Sequence, residues 1–323
     1  MQMKKTIAIQ QQQGIALITI LVMVALATIL AATIAKRQTA TAESTAYLMR
    51  QNQSLMYAKS AEAFFAELLV DDAKNAPDVD HLNETWAQPM PAFPVEDGYV
   101  SGVLQDESGK FNLNSLLTQE GNVNEHAKIW FEQILKRAGL PEQLSEAVID
   151  WQDADDRPVG PMGAESNYYQ SLLDAALPPN TKFHSVEQLK LVRGFEENKY
   201  QLIAPYVTAA PLSDSPVNIN TASAFLLASM DEKLDIHGIQ QVLEKRQANL
   251  EHFSSVSELW AIEPFSQVGA DKRNLVNNLL GIQSHYFKAR IEVMLSERKR
   301  QFSSDLVRQE QQVHIAYRSM APF

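Results

Sequence analysis

The densest chemistry in the chain is a run of carboxylates, Asp150, Asp153, Asp155 and Asp156, followed by Arg157-Pro158, Gly160-Pro161 and then Glu165, Ser166 and Asn167. Carboxylates crowded at this spacing repel one another unless a cation or solvent intervenes. Calcium takes six to eight oxygens, so a loop offering several carboxylates and carbonyls suits it, although the spacing lacks the closing glutamate of an EF-hand. A solvated helix end with Arg157 as partner accounts for the same residues. Elsewhere the inventory excludes more than it suggests. With no cysteine, disulfides, thiolate nucleophiles and cysteine-bound zinc are ruled out. The 7 histidines are scattered, without an H-E-x-x-H or an i,i+4 pair, and read as surface or core residues. No G-x-S-x-G, Walker loop or G-x-G-x-x-G occurs. Trp86, Trp130, Trp151 and Trp260 read as packing residues. A formal net charge of -11 makes nucleic acid a poor default partner.

The elements that must position these groups begin with one apolar segment. Ile15 to Ala35 carries no charge and is long enough to cross a bilayer as a single helix. Lys4 and Lys5 before it nearly balance Lys36 and Arg37 after it, so charge orients it weakly, and export of the long C-terminal part is the simpler outcome. Three readings share the segment: a cleaved secretory signal with Ala25-Leu26-Ala27 as its site, a plain signal anchor, and a processed helix preceded by the short polar leader Met1 to Gln13 and Gly14.

From Gln38 to Ala73 the composition, free of Pro and Gly, continues the helix, with Ala61, Phe65, Leu68 and Leu69 as an apolar stripe and an end near Asn75-Ala76-Pro77. Ile15 to Ala73 would then make a helix on the order of 85–90 Å long. Residues 77–98 read as a loop, Tyr99 to Leu104 as a strand, and Asp106 to Gly109 as its turn. Ser115 to about Ile282 reads as helices and loops with a faint repeat. Phe111-Asn112-Leu113-Asn114-Ser115 echoes Val217-Asn218-Ile219-Asn220-Thr221, and Phe183 to Leu189 echoes Phe253 to Leu259. Asn114-Ser115 and Asn220-Thr221 suit helix N-caps. Tyr286–Leu295, Phe302–Val307 and Val313–Tyr317 alternate apolar and polar residues and predict two or three antiparallel strands. A strand before the helical block and strands after it imply that the block is inserted into a small sheet.

Several stretches in this order resemble one family. Gln13-Gly14-Ile15-Ala16-Leu17-Ile18 resembles the prepilin peptidase site of pseudopilins. Gly109 to Asn114, Val148 to Asp156, Leu189 to Gly194 and Val217 to Ala222 are similar to stretches of general secretion pathway protein K, the largest minor pseudopilin of type II secretion systems; the likeness covers nearly the whole chain. It implies an α+β pseudopilin fold, a long N-terminal helix on a small antiparallel sheet with a large inserted all-α SAM-like domain. The expected order is a leader over 1–14, the N-terminal helix over 15–76, a loop and first strand over 77–111, the insert over 112–283 and closing strands over 284–323.

The resemblance further implies cleavage between Gly14 and Ile15 by prepilin peptidase, and N-methylation of Ile15. It implies a single inner-membrane span with a periplasmic C-terminal domain, a structural rather than enzymatic role, and I- and J-type minor pseudopilins as partners at the tip of the pseudopilus. It favours calcium at the acidic loop, with Asp153, Asp155, Glu165 and Asn167 as ligands. Pilins usually carry glutamate at the fifth mature position, to pair with the amine of the subunit ahead; here that position is Thr19, as a capping subunit would have it. A type IV pilus minor pilin is an alternative. So is a membrane-anchored helix-hairpin-helix DNA-uptake protein, although at its hairpin Met230 to Asp235 is acidic and lacks the phosphate-binding glycines.

Overall fold

A computed structural model of the chain describes residues 13–173, 177–196 and 198–320, so leader residues 1–12 lie outside it. The chain divides into two units, one ending at Tyr57 and one beginning at Ala58. Helix α1, Gln13–Asn75, runs through both. No Pro or Gly interrupts it after Gly14, and it stops just before Ala76-Pro77, as the sequence predicts.

In the first unit the helix carries the apolar run with its side chains exposed, Ile15 and Met23 each at 69%. Among the described residues it is the one helix long and apolar enough to cross a membrane. Its few polar groups are satisfied internally: the hydroxyls of Thr28 and Thr33 donate to the carbonyls of Val24 and Ile29 at 2.7 and 2.8 Å.

In the second unit the remaining elements follow in order: β1 (Met90–Val95), β2 (Gly98–Asp106), β3 (Phe111–Asn112), α2 (Glu125–Arg137), α3 (Leu144–Asp150), α4 (Ser166–Gln170), α5 (Lys199–Ile203), β4 (Val207–Thr208), β5 (Val217–Asn218), α6 (Ala224–Ala228), α7 (Ile236–Ala248), α8 (Val256–Leu259), α9 (Ala270–Val276), β6 (Leu280–Gly281), β7 (Tyr286–Leu295), β8 (Arg298–Gln309) and β9 (Gln312–Ser319). The antiparallel sheet runs β1-β2-β7-β8-β9. Ala58, Ala61, Phe65 and Leu69 are the buried face of α1, and Phe65 lies against Gly102 of β2, where a Cβ would come within 3.1 Å of its ring. Alternate residues of β7, Phe287, Ala289, Ile291, Val293 and Leu295, are buried, which is the half-covered pattern its sequence predicts. Across the sheet Arg318 of β9 grips Glu62 of α1 through two bonds of 2.7 Å; burial raises that carboxyl, and the arginine holds it below its usual range.

Strand β1 falls where the sequence predicts a loop. Pro91 and Pro94 suppress the strand signal, but β1 is an edge strand, where missing amides are tolerated.

The insert lies between two adjacent strands, because β2 pairs along its length with β7, Asp106 opposite Phe287 and Gly98 opposite Leu295. It is mostly helical, with two short parallel pairs, β3–β4 and β5–β6, in place of an all-α domain. The faint repeat has a structural counterpart. Asn114 Nδ2 donates to the Phe183 carbonyl at 2.9 Å, and the Phe183 N–H returns to Asn114 Oδ1 at 2.8 Å. Asn220 holds Phe253 in the same way, at 3.0 and 2.7 Å. These asparagines are therefore clamps between distant segments rather than the helix caps the sequence suggests; Asn124 and Ser223 cap α2 and α6. One core serves both halves, and the Trp130 indole donates to Ser229 Oγ across them at 2.9 Å. The acidic hairpin position is engaged inside the protein, with Lys136 on Glu232 at 2.6 Å and Arg137 on the Asp231 carbonyl at 3.0 Å.

Asn114 is fully buried and also donates to the Ala210 carbonyl at 2.8 Å, so Asn114→Ala strands three backbone groups. The expected loss is about 2–4 kcal/mol, read by thermal or urea denaturation, and Asn220→Ala, at a half-buried site, should cost less.

Candidate functional site

The acidic loop follows directly from α3. The side chains of Asp150 and Asp153 lie one turn apart and so share a side of the chain. Asp150 is fully buried and organises the loop: its Oδ1 accepts the Val159 N–H at 3.0 Å and its Oδ2 the Ala164 N–H at 2.7 Å. Glu146, a turn earlier, accepts the Met162 N–H at 2.7 Å. Gly163 is required for this wrapping, since a Cβ there would stand 2.3 Å from Asp150 Oδ2. The loop thus returns Glu165 onto the end of α3.

Oxygens of Asp150, Asp153 and Glu165 all lie within 4.8 Å of one another. Of the residues read from the sequence, Asp153 and Glu165 are in this group. Asp155 and Asn167 stand outside it, both exposed, with Asp155 Oδ1 accepting the Arg157 N–H at 2.8 Å. Asp156 accepts the Ser166 N–H at 3.1 Å. Asp150 takes a place that its three-residue spacing from Asp153 already signalled.

Neither oxygen of Glu165 has a hydrogen-bond donor, although that residue is 3% exposed, and Asp153 Oδ1 is likewise buried without one. Among the described residues no basic side chain pairs with Asp150, Asp153 or Glu165. Burial, then repulsion from Asp150 and Asp155, pushes Asp153 up to about 7; burial, then Asp150, Asp153 and Asp156, does the same to Glu165. An all-oxygen set with orphaned buried carboxylates fits a hard cation such as calcium, which would hold them ionised.

A second acidic group shows what a supplied cation does. Asp72 of α1 with Asp80 and Glu84 of the α1–β1 loop come equally close together. Here Arg308 of β8 intervenes, with Nη1 on Asp72 at 2.8 Å and Nη2 on Asp80 at 2.5 Å and on the Ser284 carbonyl at 2.7 Å. Nothing in local sequence announces this cluster, which joins residues 228 and 236 positions apart.

At the other candidate site, Gly14 lies one residue inside the start of α1 and Ile15 begins the exposed apolar face. Thr19 Oγ1 turns back on its own helix, donating to the carbonyls of Ile15 and Ala16 at 3.1 and 2.9 Å.

The chain is similar to several known proteins. Family models described as type II secretion system (T2SS), protein K, match residues 109–212 and 217–282. Type II secretion system protein K of Pseudomonas aeruginosa is 33% identical over 92% of this chain and 89% of its own; that of Aeromonas hydrophila is 30% identical over 93% and 94%. In the crystal structure of the GspK-GspI-GspJ complex from enterotoxigenic Escherichia coli, one chain matches with a TM-score of 0.77 and 22% identity, over 86% of this chain and 99% of that one, a likeness of fold.

The folded carboxyls of Asp153 and Glu165 stand above their unfolded values, so the cation-free folded state binds more protons than the unfolded state between about pH 4 and pH 7. Their contribution to stability is then full at acid pH and is lost as pH rises through 7. Stripped of cations, the protein should melt at a lower temperature at pH 7.5 than at pH 5, by roughly 2–4 °C for each kcal/mol lost, and Glu165→Gln should flatten that slope.

Proposed function

The chain belongs to the type II secretion system protein K family, and from that premise we propose that it is the subunit capping the tip of the periplasmic pseudopilus. In this reading it assembles with I- and J-type minor pseudopilins and promotes growth of the fibre for protein export. The partners are those of the GspK-GspI-GspJ complex, one chain of which has a fold like this chain's. The role is structural rather than catalytic. The apolar run of α1 is the single inner-membrane anchor, and the unit that follows it lies in the periplasm. A free type IV pilus tip and a DNA-uptake factor are less favoured, since the matched family models and relatives are those of type II secretion.

The observation that carries the capping role is Thr19. A glutamate here would be a carboxylate in hydrocarbon, tolerable only with the amine of a subunit ahead as partner. The Thr19 hydroxyl is satisfied by its own helix and asks for no such partner. Prepilin peptidase cuts between Gly14 and Ile15, and the new N-terminus at Ile15 is methylated. Mass analysis of protein purified from membranes should find methylated Ile15 as the first residue; an intact Met1, or a cut after Ala27, overturns the assignment.

Calcium at Asp150, Asp153 and Glu165, with loop carbonyls and water completing the set, fixes the acidic loop. Calcium at a hundredfold excess over its dissociation constant should stabilise the fold by about 2.7 kcal/mol. The gain should disappear with chelator, in Glu165→Gln, and at pH 5, where the ligands are protonated. Co-purification with the I- and J-type subunits, with and without chelator, then reads whether the loop matters for assembly; failure to co-purify in calcium counts against the tip role itself.

A further inference from the structure

The loop between α1 and β1 meets the second half of the insert at two stacked imidazoles. His81, on that loop, and His252, between α7 and α8, have ring centroids 4.3 Å apart and planes inclined by 16°. Both are half-buried, and they wall a cavity of about 300 Å³ lined also by Asn220, Ser223, Gln240 and Arg246. The loop is further held to the insert by its backbone: the Asp80 N–H donates to the Ile282 carbonyl at 2.9 Å, and Asn218 Nδ2 donates to the Asp80 carbonyl at 3.0 Å. The stack therefore closes the outer end of a joint between the pilin-like body and the insert.

Both rings are set up to be neutral. His81 Nδ1 accepts the Asn83 N–H at 3.3 Å, a bond that protonation at that nitrogen removes. His252 Nδ1 is buried with no hydrogen-bond partner, so a proton placed there finds no acceptor. Two imidazoliums stacked at this distance would repel each other. On its own loop His81 faces Asp80 and Glu84, with Nε2 3.9 Å from Glu84 Oε1. Glu84 already accepts from the Trp86 indole at 2.6 Å and the His81 N–H at 2.9 Å. Behind Asp80 stand Arg308 of β8, which pairs with both Asp80 and Asp72, and Asp72 of α1 itself, which burial, then Glu84 and Asp80, push up to about 7. Around His252 are Glu251, Glu258 of α8, and Arg246 of α7, whose guanidinium donates to the His252 carbonyl at 2.8 Å and brings a positive charge beside the ring. Glu244 of α7 lines the far side of the cavity.

We propose that the His81–His252 stack is an acid-sensitive clasp: the neutral rings hold the α1–β1 loop against the insert beyond the anchored Asp80, and protonation of the pair parts them, releasing residues 81–84 and opening the cavity they wall. Burial pushes His81 below the ordinary histidine range, against Asp80; burial and then His81 itself push His252 down, against Glu84 and Glu258. With the folded rings titrating below their free value of about 6.5, the clasp is fully closed above that pH and is lost as pH falls through the folded values.

The test is hydrogen–deuterium exchange on the full chain in detergent, with calcium in excess and rates corrected for intrinsic pH dependence. Between pH 7.5 and pH 5, protection of peptides spanning 79–86 and 249–254 should fall roughly tenfold for each unit by which folding holds the pair below free titration. Peptides from β7 and β8 should not follow. The double variant His81→Phe/His252→Phe, which keeps a stack that cannot charge, should hold its protection across the range. The inference is overturned if wild-type protection of 79–86 stays flat down to pH 5, a result that needs no variant to fold, or if the double variant loses protection as the wild type does.

Discussion

One geometric condition governs the unit that begins at Ala58: the insert leaves from the end of β2 and returns to the start of β7, and those strands are hydrogen-bonded neighbours. Two chain segments one strand spacing apart, about 4.8 Å, must serve as entry and exit for a block that holds most of the core. Their polar groups cannot reach water, so they must answer one another. Asp106, at the end of β2, is wholly enclosed and accepts from Ser284 Oγ at 2.6 Å, from the Thr221 hydroxyl and from the Ser108 N–H at 2.7 Å. Burial pushes it up to about 6, with all three donors opposing. Ser284 accepts in turn from Asn218 Nδ2 at 2.7 Å, and its N–H donates to Asp80 at 2.6 Å. Strand, insert and α1–β1 loop are thereby tied into a network in which an unpaired member would be costly.

Arg308 completes that network from β8, and its contrast with the acidic loop is instructive. Both places gather three carboxylates closer than their charges allow. In the body the neutralising cation is part of the chain, and its guanidinium also lies over the Phe287 ring at 5.2 Å. Even so, burial, then Glu84 and Asp80, push Asp72 up to about 7 against Arg308. At the acidic loop no described side chain supplies that charge, and two carboxylates keep buried oxygens with no donor. A tethered cation keeps its joint supplied at any ion concentration; the cation proposed for the acidic loop would make that joint conditional on the ion.

What was legible in the sequence follows the range of the interactions. Helix α1 is announced by the absence of Pro and Gly, β7 by strict alternation, and the hidden duplication by the echo of Asn112-Leu113-Asn114 in Asn218-Ile219-Asn220. Each is a local signal. The roles of those asparagines were misread because an asparagine before a helical stretch resembles a cap, while its actual partner is far along the chain. Strand β1 was hidden by prolines that only its edge position excuses. Asp150 stands in the same acidic run, but its burial within the group depends on a loop that wraps back to it. Arg308 with Asp72 and Asp80, and His81 against His252, have no signature, because each joins segments far apart in the chain.

The duplication also explains why the acidic loop sits in one half alone. The two clamps do the same backbone work, but Asn114 reaches a phenylalanine 69 residues ahead and Asn220 one only 33 ahead. The longer interval in the first half contains α3, the acidic loop and α4. Of these, α4 has five residues and buries only Tyr169, which cannot anchor a loop of that length against its chain entropy. Val159, Met162 and Ala164 of the acidic loop pack on the core, whereas the segment from Asp153 to Pro158 offers it no apolar side chain larger than Ala154 and Pro158. Carboxylates drawn onto the proposed ion would add a cross-link there with few residues, so the extra length in this half and its acidic loop are one feature of the sequence.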